Sequence, residues 1–435
     1  MKKQQQVVIV GGGAGGLELA CQLARKLGPK QVTLVDSRLY HIWKPSLHEV
    51  AAGTLDIHAE GLSYQMLAHD NGFSFVHGAM TELYPNDTIF VNDVLTDTGG
   101  VLIPARIIPF TTLVMAVGST SNYFNVPGAA QNTISLNGPE DAEKFRGKMM
   151  RHLHYANGPN RRDSEAEAGV DIVIIGGGAT GVELAAELSE ARNEFAAYGL
   201  HNLDVKKSIR ITILEGSPRV LAPLPERVSI AAAKLLAQRD VRVNAGCRVV
   251  DITSTHVTDS TGHAYKADIT VWAAGIKAPD FLATLGLPVT KSGALPVDGN
   301  LRVQGRTNIY AIGDCAAFTC SDGKLAPPRA QTAHQQADYL VKLLTSQTTG
   351  FTAVRMKPYE YKDYGSLVSI GHSTSVGNLM GSLAGRWFIE GWFARVMYVS
   401  LHLMHHRAIL GSIRTGVLAV ARFLIKRSAP LVKLH

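Results

Sequence analysis

Four apolar residues in a row, Val7-Val8-Ile9-Val10, run into Gly11-Gly12-Gly13-Ala14-Gly15-Gly16 and then into Leu17, Ala20, Cys21 and Ala24, spaced three and four apart. An apolar run that short, without alternation, predicts a strand buried on both faces, and the later spacing predicts a helix. The order returns at Ile172-Val173-Ile174-Ile175, Gly176-Gly177-Gly178-Ala179-Thr180-Gly181 and Val182-Glu183-Leu184-Ala185. Comparable apolar runs close on Asp36, Gly118, Glu215, Gly275 and Gly313. Buried strands alternating with helices predict an α/β fold with parallel sheets, and the repeat predicts two Rossmann-like units.

Composition narrows the class. A chain of 435 residues has room for two or three cored domains, and 42 glycines with only 18% charged residues suit tight turns between buried strands. The four cysteines are too few and too scattered for a disulfide scaffold, which implies a reducing compartment. Met1 to Gln6 is short and polar and lacks the pattern of a secretory leader; no charge-free stretch of 18 apolar residues predicts a spanning helix. The net charge of +7 leaves open nucleic acid, an anionic membrane surface or a polyanionic cofactor.

The glycine loops favour the cofactor. Gly11 and Gly176 allow a tight turn, Gly13 and Gly178 let a pyrophosphate reach the backbone, and Gly16 and Gly181 let each helix pack against its strand. The helix starts, Ala14-Gly15 and Ala179-Thr180, then aim free N–H groups at the phosphates. Asp36, 20 positions after Gly16 and followed by Ser37, is expected to accept from the adenosine ribose. Its counterpart Glu215 lies 34 positions after Gly181, the extra length falling in a polar stretch from Glu190 to Lys207. Glu215 would repel a 2′-phosphate and favours NADH over NADPH, although Arg219 lies close. The strands ending at Ala116-Val117-Gly118 and Ala273-Ala274-Gly275 return the chain between units, and Gly313-Asp314 ends a strand where a carboxylate can meet a flavin ribityl hydroxyl.

As a set, these segments resemble the two-dinucleotide-binding flavoprotein superfamily. The resemblance implies a discontinuous FAD domain at 1–170 and 286–345, an inserted NADH domain at 171–285, and a C-terminal region at 346–435. Cysteines separate its members. None lies between residues 22 and 246, where a disulfide reductase would carry an early CxxxxC pair. Cys315 and Cys320 follow the Gly-Asp turn and read as buried or loop thiols, and Cys21 and Cys247 do not suit a sulfide:quinone oxidoreductase.

Pro327-Pro328-Arg329-Ala330-Gln331-Thr332-Ala333-His334-Gln335 reads as a helix start with two amides on one face. Together with His41-Ile42-Trp43-Lys44-Pro45 and Tyr364 to Gly371, it resembles the type II NADH dehydrogenases of bacterial respiratory chains. That resemblance implies hydride transfer from NADH to FAD and two electrons onward to a quinone, without proton pumping. It also implies that Ala330, Gln331 and Gln335 line the quinone side of the flavin, that Lys44 and Pro45 lie near its ring, and that Glu183 is a carboxylate relaying protons. A solvated Lys44 and a Glu183 that merely complements the helix dipole remain alternatives.

Residues 391–435 contain no Asp or Glu. At helical spacing Arg407, Arg414, Arg422 and Lys426 share one arc, opposite Ile409, Ile413, Val417, Val420, Phe423 and Leu424, as an interfacial helix requires. Trp387, Trp392 and Tyr398 are expected at headgroup depth, and His402, His405 and His406 as interfacial residues rather than a metal site. A helix packed on the domain is the alternative. The expected partners are NADH, a quinone and anionic lipid, on the cytoplasmic face of the inner or plasma membrane, with a homodimer left open. No recognised nucleic-acid-reading module is present. A soluble NADH oxidase, a ferredoxin-type reductase and an NADH-binding redox sensor are the competing functions.

Overall fold

A computed structural model describes residues 6–157, 169–197, 208–348, 356–371, 375–381 and 385–428. The first unit is a five-stranded parallel sheet in the order Ile309–Ala311, Thr112–Met115, Val7–Val10, Val32–Asp36, Ser74–His77. All four residues of its central strand are buried, as an unbroken apolar run demands. The Ala14–Leu27 helix follows the first glycine loop, and the Ala330–Thr348 helix packs across it. The two approach so closely at Gly15 that a Cβ there would stand 3.0 Å from the Ala333 carbonyl oxygen.

The second unit repeats the plan: Ile134–Ser135, Ile269–Trp272, Val170–Ile175, Ile209–Glu215, Val241–Ala245, all parallel. Its edge strand comes from Ile134–Ser135, so the inserted unit begins well before the expected residue 171. Two residues carry no readable period, and only pairing with Val271 and Trp272 identifies them as a strand. A short antiparallel pair, Thr120–Ser121 with Ile276–Lys277, joins the two units. The helix after the second loop runs over Ala179–Ala197; the remainder of the polar stretch, 198–207, lies outside the described residues.

The C-terminal region opens with three antiparallel strands, Gly365–Ser369, Ser375–Gly381 and Gly385–Gly391. The basic arc expected from Arg407 to Lys426 is divided between two helices, Trp392–Leu410 and Ser412–Ser428, broken where Gly411 takes φ +80°. That left-handed conformation is one that glycine accepts at little cost. The break redistributes the expected apolar arc. Ile409 joins the first unit's core, while Ile413, Val417, Val420 and Leu424, spaced four, three and four apart, are all more than 60% exposed. Arg407 is exposed and Arg414 pairs with Asp70; the side chains of Arg422, Phe423, Lys426, Trp387 and Trp392 lie outside the described set. Among the described residues no helix is long and apolar enough to cross a membrane.

Candidate active site: two glycine clefts and the helix beside them

In the first loop Gly11 has φ +102°, and a Cβ on it would meet the Ala116 carbonyl oxygen at 2.4 Å. A Cβ on Gly16 would meet the Gly11 carbonyl oxygen at 1.9 Å, so strand, turn and helix fit only with glycine at both. Gly13 is the opposite case: nothing lies within 4 Å of its missing Cβ. The helix it caps receives no side-chain hydrogen bond there, which leaves its first N–H groups free for an anion. An open cradle beside an uncapped helix start is what a dinucleotide pyrophosphate needs, and the residues fit FAD.

The loop is gripped by its surroundings. Asp36 accepts from the N–H groups of Gly12 (2.6 Å) and Arg38 (2.8 Å), with Ser37 exposed at the cleft mouth. His41 Nδ1 (2.9 Å) and the Tyr64 hydroxyl (2.8 Å) both donate to the Gly12 carbonyl. Across the cleft Gly118 and Gly313 turn with positive φ, the Ser119 hydroxyl donates to Asp314 (2.7 Å), and Lys44 Nζ donates to the Ser119 carbonyl (3.1 Å). Lys44 is thus tethered beside Asp314 although it is exposed, and Pro45 follows it in a short 3₁₀ turn. The fully buried Gln336 accepts from the Gly313 N–H (2.7 Å), and its amide nitrogen has no partner among the described residues.

The second loop repeats the geometry. Gly176 has φ +108°, a Cβ on Gly181 would stand 2.0 Å from the Gly176 carbonyl oxygen, and Gly178 is open. Glu215 accepts from the N–H groups of Gly177 (2.5 Å) and Ser217 (2.6 Å). Arg219, which left a 2′-phosphate open, turns away to Ser229 and the carbonyls of Ala222 and Leu224. A cavity of about 270 Å³ runs along this loop past Thr180, Ala274 and Gly275 and reaches Lys44 of the first unit. The two clefts therefore meet at Lys44.

Glu183 is 8% exposed, one turn into the second helix; it accepts from the Ser369 N–H (3.0 Å) and lies 3.7 Å from His48 Nδ1. Burial lifts its carboxyl to about 6, against the opposing pull of His48 and the Ser369 N–H. Ala330 opens the long helix, and Gln331 accepts a 3.3 Å hydrogen bond from the Tyr361 hydroxyl. Gln335 does not present a second free amide. Its oxygen accepts from the Lys362 N–H (3.0 Å) and its nitrogen donates to the Lys362 carbonyl (2.8 Å), because the segment before Gly365 lies along that helix. All four cysteines are unpaired; Cys315 is fully buried, and burial pushes its thiol up to about 12.

The histidines reverse the expectation. His405 and His406 are buried rather than interfacial, and Tyr398 points its hydroxyl toward the Pro45 carbonyl (3.5 Å). Glu18, to which the first repeat assigns no role, accounts for His405: it sits 2.6 Å from His405 Nδ1 and also bonds His334. Tyr64, Ser119 and Gln336 carried no signal either, being polar residues that long-range folding brings to the loops. His41 lies within the His41–Pro45 motif, which by itself assigns it no role.

A family model described as pyridine nucleotide-disulphide oxidoreductase matches residues 5–337. A type II NADH:quinone oxidoreductase of Haemophilus influenzae is 36% identical over 97% of this chain and 98% of its own. Another of that description, from Mycobacterium tuberculosis, is 24% identical over 96% and 88%. Among solved structures, NDH2 from Plasmodium falciparum in complex with NADH superposes with a TM-score of 0.84 at 21% identity, covering 99% of this chain and all of that one.

Proposed function

The chain belongs to the type II NADH:quinone oxidoreductases, and we propose that it works as one by bringing two nucleotide clefts together at Lys44, beside the helix of Gln331. The meeting of the clefts carries the reading: a cavity that starts at the second glycine loop ends on a side chain tethered beside the first unit's Asp314. FAD supplies the hydride acceptor and the two-electron relay between NADH and quinone.

The protein's own groups do the rest. The first loop, Asp36, Ser37, Ala116, Gly118 and Asp314 hold FAD, with Ala330 and Pro45 at its edge. The second loop, Ala179, Thr180, Glu215 and Gly275 hold NADH. Arg219 is spent on backbone carbonyls and leaves Glu215 unopposed, which disfavours a 2′-phosphate. Gln331 is the amide left to bond a quinone carbonyl, whereas Gln335 clasps the chain at Lys362. Glu183, whose carboxyl burial lifts to about 6, is the group that takes up and releases a proton, between His48 and the Ser369 N–H.

Quinones partition into lipid, and the exposed Ile413, Val417, Val420 and Leu424 form one apolar stripe in an acid-free segment. That supports peripheral docking on an anionic membrane, on the cytoplasmic side where NADH is available. The test compares acceptors. NADH oxidation by a soluble quinone analogue should fall at least tenfold in Gln331→Ala while dye reduction changes little, and Gln335→Ala should reduce both together. Equal losses for Gln331→Ala, or no quinone stimulation of the native protein in lipid, would sink the reading. The fourfold variant Ile413→Ser, Val417→Ser, Val420→Ser, Leu424→Ser should remain in solution when lipid vesicles are sedimented.

A further inference from the structure

The Trp392–Leu410 helix has two faces. Tyr398, His402, His405 and Ile409, spaced four, three and four apart, turn inward onto Pro45, Trp43, Glu18 and the first unit's core. Val396, Val399 and Met404 remain exposed on the other side.

The inward face reaches the first glycine loop through side chains alone. The Gly12 carbonyl can only accept, so His41 carries its proton on Nδ1. Its Nε2 must then accept, and the donor is His405 Nε2–H at 2.9 Å. His405 Nδ1 is left as an acceptor for Glu18 at 2.6 Å, and the other Glu18 oxygen accepts from His334. The links close in one direction with neutral His41 and His405, as their burial favours, and with the proton between Glu18 and His405 on the carboxyl, which burial raises against the pull of His334. The His405 ring also packs on Trp43 with centroids 4.2 Å apart, beside Lys44 and Pro45. Arg25 adds a bond from the first helix to the Ala408 carbonyl.

We propose that His405 is a positioning residue for FAD: through His41 and Trp43 it makes the C-terminal helix pair a clamp on the Gly12 loop and the Lys44–Pro45 segment, so that seating the pair on lipid tightens flavin hold. The coupling rests on the membrane reading above. If lipid favours the seated helix, the linkage is reciprocal, and bound FAD raises the protein's affinity for lipid by the same factor. Loss of His405 removes the donor to His41 and leaves a buried imidazole nitrogen unpaired.

The full-length holoprotein is the material for the test. Flavin release is followed by its fluorescence, with and without vesicles of phosphatidylglycerol and phosphatidylethanolamine, and vesicle binding is measured separately by sedimentation. In the native protein vesicles should slow release at least threefold. His405→Leu should release flavin several-fold faster, sediment normally with vesicles, and show no slowing by them. His405→Gln, whose amide can still donate to His41, should recover part of the vesicle effect, which a merely packed side chain would not require. Equal vesicle effects in native protein and His405→Leu overturn the coupling, as does native protein that binds vesicles without slower release. If native protein fails to sediment, the membrane reading and the coupling fall together. An unchanged release rate for His405→Leu without vesicles then overturns the positioning role itself.

Discussion

The two glycine-loop units are built to one plan and finished differently. In the second, the Gly177 carbonyl accepts a backbone bond from Leu221 of the same unit and, among the described residues, no side-chain bond, and the loop opens onto a cavity. In the first, the Gly12 carbonyl is held by His41 and Tyr64, and Gln336 braces the facing Gly313 turn. Even the glutamate one turn into each helix differs. Glu18 is locked between His334 and His405, whereas Glu183 meets His48 of the first unit and a strand of the C-terminal region. A loop clamped by side chains from three directions suits a resident cofactor, and one held by backbone of its own unit suits a nucleotide that exchanges at every turnover.

The largest test of that contrast is Gly11→Ala against Gly176→Ala. Either Cβ collides with a backbone carbonyl, at 2.4 and 2.5 Å, in a conformation with positive φ, a strain of about 3 kcal/mol or more. Gly11→Ala should yield little flavin-containing protein. Gly176→Ala should purify yellow but fail to be bleached by NADH. Matching losses of flavin in both would erase the distinction.

Next in size is the acid on the second helix. The Glu183 carboxyl rises from 4.5 unfolded to about 6 folded, so the fold binds the extra proton between those values. Its burden on stability is absent below 4.5, grows as pH rises through the window and is complete above about 6, amounting to about 2 kcal/mol. Denaturation midpoints of the native protein should therefore decline between pH 4.5 and 6.5 by more than those of Glu183→Gln. Parallel curves would contradict the shift.

Gly178→Ala adds a methyl where the protein offers no contact, so the melting temperature should hold while KM for NADH rises about tenfold, near 1.4 kcal/mol. A melting point that falls with KM would place protein, not nucleotide, in that space. The smallest effect belongs to Tyr64→Phe, which removes one of two donors to the Gly12 carbonyl and should cost about 1 kcal/mol. The urea midpoint should drop and flavin leave faster, with KM for NADH unchanged.

Much of this site was legible in advance because its geometry is local. A strand, a glycine turn and a helix start lie within about 15 positions, and the acid that closes each unit follows on the next strand. Helical spacing places Gln335 beside Gln331, but its partner, the Lys362 backbone, lies 27 positions away and leaves no local trace. In the tail a single helical period does not carry past Gly411, a residue that ends a helix when its φ turns positive. Ile134–Ser135 was too short to show any period.

The sequence by itself determined two dinucleotide loops, the acids that serve them and the family, since each rests on residues near in the chain whose backbone demands only glycine can meet. Tertiary structure alone decided what distinguishes the loops. Glu18, His41, His334 and His405 span 387 positions between first and last and meet only when three helices and a short strand pack together. No periodicity records such a meeting. A buried polar group must find a partner wherever packing delivers one, and the partner's identity is a property of the assembled core rather than of any segment.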